Sequence, residues 1–70
     1  MKYIFPERLK ELRTEKELSK RELAKAIGVS DVAISRWENN LRVPNVINLY
    51  ALAKFFDVSA DYLIGLEDFA

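Results

Sequence analysis

Hydrophobic residues recur at helical spacing along this sequence. The clearest stretch carries Leu49, Leu52, Ala53 and Phe56, an i, i+3, i+4, i+7 stripe typical of the buried face of a helix. Weaker stripes of the same kind precede and follow it, at Leu9, Leu12, Leu23, Ala24, Ile27, Ile34, Trp37, Tyr62 and Leu63. No stretch alternates between hydrophobic and polar residues, so the pattern predicts an all-α fold without strands.

Capping residues divide this pattern into five short helices. Ser19 and Glu22 form a Ser-x-x-Glu capping box, and Gly28 permits the left-handed conformation that ends a helix. Ser30 and Ser59 are the predicted N-caps of the third and fifth helices. The remaining boundaries are predicted at Pro6, about Lys16, Pro44–Asn45 and Gly65.

Composition limits the class of protein. Seventy residues with 50% hydrophobic content predict one small globular domain over residues 1–70. The chain has no Cys and no His, so it lacks disulfides, the usual transition-metal ligands and the common nucleophile–base pairs. We therefore expect no enzyme activity, no metal and no cofactor. Without a signal peptide or a long apolar run, we expect no membrane contact and a cytoplasmic location.

Residues 19–38 have the spacing of a helix-turn-helix. Two helices of about eight residues, joined by so short a turn, must cross rather than lie antiparallel. A crossing needs a small residue at the contact, a turn that accepts positive φ, and an apolar residue beneath it. Ala24, Gly28 and Ile34 meet these three needs at the spacing of the DNA-binding motif.

The same residues resemble the phage-repressor-type helix-turn-helix family, also described as lambda-repressor-like or xenobiotic-response-element-type. The likeness covers about residues 6–66, through LSKRELA at 18–24, IGVS at 27–30, ISRWEN at 34–39 and VSADYLIG at 58–65. It implies a compact five-helix domain whose third helix enters the major groove of double-stranded DNA. It further implies a sequence-specific transcriptional regulator, more expected as a repressor than as an activator.

The outward face of the third helix carries the candidate base contacts. With Ile34 and Trp37 directed inward, the side chains left facing outward include Asp31, Val32, Ser35 and Arg36. Arginine can fork to guanine, aspartate can accept from cytosine N4, and valine can pack on a thymine methyl group. The resemblance also implies base contacts at Asp31, Val32 and Arg36. The alternative is a solvated helix face.

Candidate phosphate contacts flank that helix. The start of the second helix, at Ser19 and Lys20, offers unpaired N–H groups and a positive dipole end. The resemblance implies backbone contacts after the third helix, at Asn39, Asn40 and Arg42, although Asn39 and Asn40 could form a plain turn. The chain departs from the family at Lys20, where Gln is usual, at Asn40, where Gly is usual, and at Leu41, where a basic residue is common.

The resemblance also implies a partly buried ion pair between Arg13 in the first helix and Glu38 at the end of the third. Such a pair would orient the arginine beside the DNA backbone and tie the recognition helix to the rest of the domain. A bidentate arginine–carboxylate contact is geometrically specific. The alternative is two ordinary surface charges.

The charge and the last residues bear on assembly. The net charge is zero, but residues 1–36 hold nine basic and six acidic side chains, whereas residues 37–70 hold two basic and five acidic side chains.

Apolar residues that are crowded near the end of the sequence predict either a cap on the core or a dimer surface, at Tyr62, Ile64, Leu66 and Phe69. Residues 65–70 could instead form a linker or tail. We expect a homodimer on a palindromic operator. The alternative function is a protein-interaction module, such as an antitoxin or anti-regulator.

Overall fold

Five α-helices make up the fold. The computed structural model describes residues 3–68, and its helices are α1 (Phe5–Glu15), α2 (Lys20–Ile27), α3 (Asp31–Glu38), α4 (Val46–Phe56) and α5 (Ala60–Ile64). No strand occurs within those residues. The predicted all-α, five-helix architecture is therefore confirmed.

Local hydrogen bonds explain where four of the helices begin. At α2 both halves of the capping box are formed: the Ser19 N–H donates to the Glu22 carboxylate (2.8 Å) and the Glu22 N–H donates to Ser19 Oγ (3.0 Å). Ser30, Asn45 and Ser59 each accept a backbone N–H three residues ahead. These bonds satisfy amides that have no partner inside the helix.

The helix α1 departs slightly from the prediction. It begins at Phe5 rather than Pro6, and Ile4 at its N-cap makes no side-chain hydrogen bond. Pro6 still lies in the first turn, where its missing N–H leaves no intrahelical bond unmade. The helix ends at Glu15, and Glu17 in the following turn has a positive φ of 55°, in the region that glycine more often occupies.

A single core lies between the helices, and its buried members come from all five: Phe5, Leu9, Leu23, Ala24, Ile34, Trp37, Leu52, Phe56 and Leu63. Ala24 is 3% exposed and lies where α2 and α3 pack together, which is the role that its size predicts. Phe5 is fully buried, although it precedes the first predicted helix and was not among the predicted core residues. The core fixes the direction of α3 and therefore of its outer face.

Arg8 joins the two ends of the chain. Its guanidinium lies 3.9 Å from the centre of the Tyr62 ring and donates to the backbone oxygens of Tyr62 and Glu67. It also lies 3.9 Å from the Asp68 carboxylate. The described part of the predicted linker is therefore held against α1 and α5.

Candidate nucleic-acid interface

The third helix presents one buried and one exposed side. Ile34 and Trp37 are 0% and 4% exposed, which confirms the predicted inward face. Asp31, Val32 and Arg36 are exposed. Ser35 lies half-buried at the edge of the outer face. The four candidate base contacts thus share one accessible side of a helix that is anchored by two large core residues.

The start of α2 meets the start of α3 at a shallow recess of about 280 Å³. Lys20 lines it from α2, and Asp31, Val32 and Ser35 line it from α3. Lys20 is half-buried, and each of Lys20 and Asp31 is the first residue of its helix. The structure therefore brings one predicted phosphate contact together with three predicted base contacts.

The residues after α3 form a tight turn. The side-chain amide of Asn39 donates to the backbone oxygen of Ser35 (2.8 Å). The backbone N–H of Leu41 donates to the backbone oxygen of Arg36 (2.8 Å). Asn40 has a φ of 58°, so this asparagine adopts the left-handed conformation at a position where the family usually has glycine. Arg42 is exposed beyond this turn. The Asn39 amide is engaged in ending the helix, whereas the Arg42 side chain extends from the surface.

Arg13 forms a bidentate ion pair with Glu38. Arginine Nε lies 2.6 Å from Glu38 Oε2, and Nη2 lies 3.0 Å from Oε1. The remaining nitrogen, Nη1, donates to the backbone oxygen of Leu18 (2.8 Å). The side chains are only 11% and 3% exposed, and the hydrogen bond to Glu38 raises the pKa of Arg13. This contact connects α1, the turn before α2 and the end of α3.

Among residues 3–68, the most exposed apolar side chains lie before and within the first turns of α4 and not at the predicted C-terminal surface. Five of them, between 61% and 81% exposed, cluster in sequence at the α3–α4 loop and the first turns of α4; we call these the α4 patch: Leu41, Val43, Val46, Ile47 and Tyr50. Val46, Ile47 and Tyr50 lie outside the stripe of Leu49, Leu52, Ala53 and Phe56, and this spacing is the signal in the sequence that marks them as exposed. A groove of about 530 Å³ extends from the patch along α4 to Lys54 and Asp57.

The described part of the predicted dimer surface near the C-terminus is partly covered. Tyr62 and Ile64 are half-buried. The Arg8 guanidinium covers the Tyr62 ring, and the Ile4 N–H donates to the Ile64 oxygen, which holds the start of α1 beside the end of α5. Leu66 is 50% exposed. Phe69 lies outside the described residues. Part of the apolar surface predicted here is therefore covered, because residues 62–67 contact Ile4 and Arg8.

Residues 9–63 match the helix-turn-helix family, and the chain belongs to that family. Its five helices have the lambda-repressor-like arrangement: it superposes on the P22 c2 repressor, crystallised with a synthetic operator, with a TM-score of 0.86, 39% identity and coverage of 91% of this chain and 97% of that one. The predicted family and fold are thereby confirmed.

Two relatives are named as regulators with opposite effects. The chain is 42% identical over 64 residues to the transcriptional activator BcrR of Enterococcus faecalis, covering 91% of this chain and 31% of the relative. It is 43% identical over 61 residues to repressor protein C2 of Salmonella phage P22, covering 87% and 28%. The chain thus spans about a third of the length of these relatives. In its described part, no helix is long and apolar enough to cross a membrane.

Proposed function

We propose that this chain is the sequence-specific DNA-binding domain of a transcriptional regulator, with α3 in the major groove. The observation that carries the proposal is the exposed side of α3, where Asp31, Val32, Ser35 and Arg36 lie outside a helix anchored by the core. These side chains can donate to, accept from or pack against the edges of bases. The similarity to a repressor crystallised on an operator supports the same placement.

Backbone contacts would position that helix. Ser19 at the start of α2, and Asn39, Asn40 and Arg42 after α3, flank the reading face along the chain. Contacts of this kind set the register of the protein on DNA without reading its sequence. The pair Arg13 and Glu38 would hold the far end of α3 in place while these contacts form.

We propose that the regulator is a repressor and acts in the cytoplasm. The comparison of sequences alone does not separate the two effects, because the chain is 42% identical to the activator BcrR and 43% identical to the repressor C2. Repression requires only occupancy of a site that blocks transcription. A reporter gene with the recognised site between promoter and coding sequence tests this directly. Expression of the chain is expected to lower the reporter signal, whereas a rise would make the protein an activator.

The operator in this proposal is palindromic and the protein binds it as a homodimer. A neutral domain with few phosphate contacts gains affinity when two copies occupy half-sites about one helical turn apart. We infer that the α4 patch contacts the second copy, with the predicted C-terminal surface as the other candidate. Lys54 and Asp57 both line the groove beside the patch, so a two-fold axis can set each lysine against the aspartate of its partner.

Selection of bound sequences from a random pool of DNA duplexes tests the function. The chain is expected to enrich a palindromic consensus. A matched control is the Asp31→Ala/Arg36→Ala double variant, whose substitutions lie on the exposed face of α3 outside the core. Its thermal unfolding is expected to match that of the parent and its consensus to be weakened or lost.

One observation favours the alternative, a protein-interaction module. The α4 patch presents five apolar side chains that are 61% to 81% exposed, as protein-binding surfaces do, and the net charge of zero gives little general attraction to DNA. If the selection at low salt enriches nothing, DNA reading is excluded. The patch would then be the first surface to examine for a protein partner.

A further inference from the structure

The recess between α2 and α3 places a cation beside an anion on the reading surface. Lys20 carries three donor hydrogens, and Asp31 carries acceptor oxygens, and both line the same shallow depression with Val32 and Ser35. Two ion pairs occur among residues 3–68, Arg8 with Asp68 and Arg13 with Glu38. Neither uses Lys20 or Asp31, so both charged groups remain available to a ligand in the recess.

This arrangement matches the edges of one base pair. In the major groove guanine presents two acceptors, O6 and N7, and its partner cytosine presents one donor, the N4 amino group. A donor and an acceptor side by side on the protein therefore complement a G·C pair. An A·T pair also presents a donor, adenine N6, beside an acceptor, N7, but its purine offers the ammonium one acceptor where guanine offers two.

The local charges also favour this use. Asp31 lies in the first turn of α3, where the helix dipole stabilises a negative charge. Near DNA the phosphates repel a carboxylate, but the ammonium of Lys20 across the recess offsets that repulsion. A lone aspartate on this surface would be unfavourable, whereas the pair presents one donor group and one acceptor group with no net charge.

We infer that Lys20 and Asp31 together read a single G·C pair in each half-site. Lys20 Nζ donates to guanine O6 and N7, and the Asp31 carboxylate accepts from N4 of the paired cytosine. Val32, at the same recess, packs against a thymine methyl group of the neighbouring base pair. The inference rests on the proposed function, and it assigns Lys20 a base contact where the sequence predicted a phosphate contact.

Duplex selection with single variants tests the inference. The unchanged chain is expected to select one G·C pair in each half-site, and Lys20→Gln is expected to lower that preference about tenfold or more while leaving other positions unchanged. Asp31→Asn is expected to relax the same position. Lys25→Gln is the matched control, because Lys25 is an exposed lysine on the same helix and does not line the recess. It is expected to leave every preference as it was.

A modified base identifies the contacted atom. Replacing the selected guanine with 7-deazaguanine, which lacks the N7 acceptor, is expected to weaken binding of the unchanged chain several-fold and to have little effect on Lys20→Gln. A thermal melt of each variant verifies folding, since neither Lys20 nor Asp31 belongs to the core.

The outcomes separate the two proposals. If Lys20→Gln weakens binding equally for all sequences and reduces the salt dependence, Lys20 contacts phosphate and this inference is wrong. The same holds if the chain selects a palindrome in which no position responds to both variants. If the unchanged chain selects no consensus at all, the proposed function itself has failed.

Discussion

At the scale of single residues, Arg36 is the proposed base contact whose loss we expect to affect the reading of DNA most. It is exposed in the last turn of α3, and its guanidinium can fork to guanine O6 and N7. We expect Arg36→Ala to relax preference at one base position in each half-site, at a cost of about 1–3 kcal/mol of binding free energy. Competition assays with single-base variants of the operator measure this change.

The distribution of the lost binding free energy over the operator positions distinguishes the two possible contacts of Arg36. A cost concentrated at one position identifies a base contact. An equal loss at every sequence would instead assign Arg36 to a phosphate. Arg21→Ala serves as the control, because Arg21 is an exposed arginine on α2 and none of the predicted contacts involves it.

The capping box gives α2 a stability that depends on pH. The pKa of Glu22 lies below its ordinary value of 4.5, because its carboxylate accepts the Ser19 N–H. A depressed pKa in the folded state contributes stability above the unfolded value, and this contribution is lost as pH falls through the folded pKa. We expect the difference in unfolding free energy between the parent and Glu22→Gln to be constant above about pH 5 and to change below 4.5 in favour of the variant.

Urea unfolding at a series of pH values measures that difference. Glu15→Gln is the control, since it is the same substitution at an exposed position of α1. A difference for Glu22→Gln that stays the same from pH 3 to 7 would show that the charge of the carboxylate has no part in the cap.

At the scale of elements, the contact between Arg13 and Glu38 connects α1 to the end of α3. The two side chains are only 11% and 3% exposed, so removing one leaves the other charge without its partner and largely shielded from water. We expect Arg13→Ala to lower the free energy of unfolding by about 3 kcal/mol. The Arg13→Met/Glu38→Met double variant is expected to recover most of that loss, because no buried charge remains. Urea unfolding of both variants and the parent checks the comparison.

The same pair bears on DNA binding. Arg13→Ala leaves a carboxylate unpaired near the end of the recognition helix, where it would repel phosphate, so we expect weaker binding to the selected operator. The measurement is made at a temperature where the variant is folded. Binding equal to that of the parent would limit the pair to a structural role.

At the scale of the whole molecule, the α4 patch gathers five of the eight large apolar side chains that are exposed among residues 3–68. If it joins two copies on DNA, Ile47→Lys should reduce affinity for the full palindrome about tenfold or more and leave affinity for an isolated half-site unchanged. Ile47 is 76% exposed, so the substitution is not expected to unfold the domain. Titration of both DNA lengths, with sedimentation of the complexes, measures the effect.

Leu66→Lys is the matched variant on the other candidate surface. Leu66 is 50% exposed and belongs to the predicted C-terminal surface. If Leu66→Lys and not Ile47→Lys separates the copies, the dimer contact lies at the C-terminal end. If neither does, the domain binds its half-sites without a contact through either surface.

Features that depend on nearby residues were accessible from the sequence. The stripe on α4, the capping box at Ser19, the N-caps at Ser30 and Ser59 and the left-handed turn at Gly28 all involve positions within about one helical turn of each other. Their physical causes are periodic burial and unsatisfied amides at helix ends, both of which act locally. The pairing of Arg13 with Glu38, 25 positions apart, came from the family resemblance instead.

Only the tertiary structure decided what distant segments do to one another. It buried Phe5, stacked Arg8 on Tyr62 and brought Lys20 to the same recess as Asp31. Among residues 3–68 it also left the most exposed apolar side chains in the α4 patch rather than at Tyr62 and Ile64. The hydrophobic pattern determines which face of each helix is apolar, but the crossing of the helices and the path of the chain end determine which of those faces finds a partner.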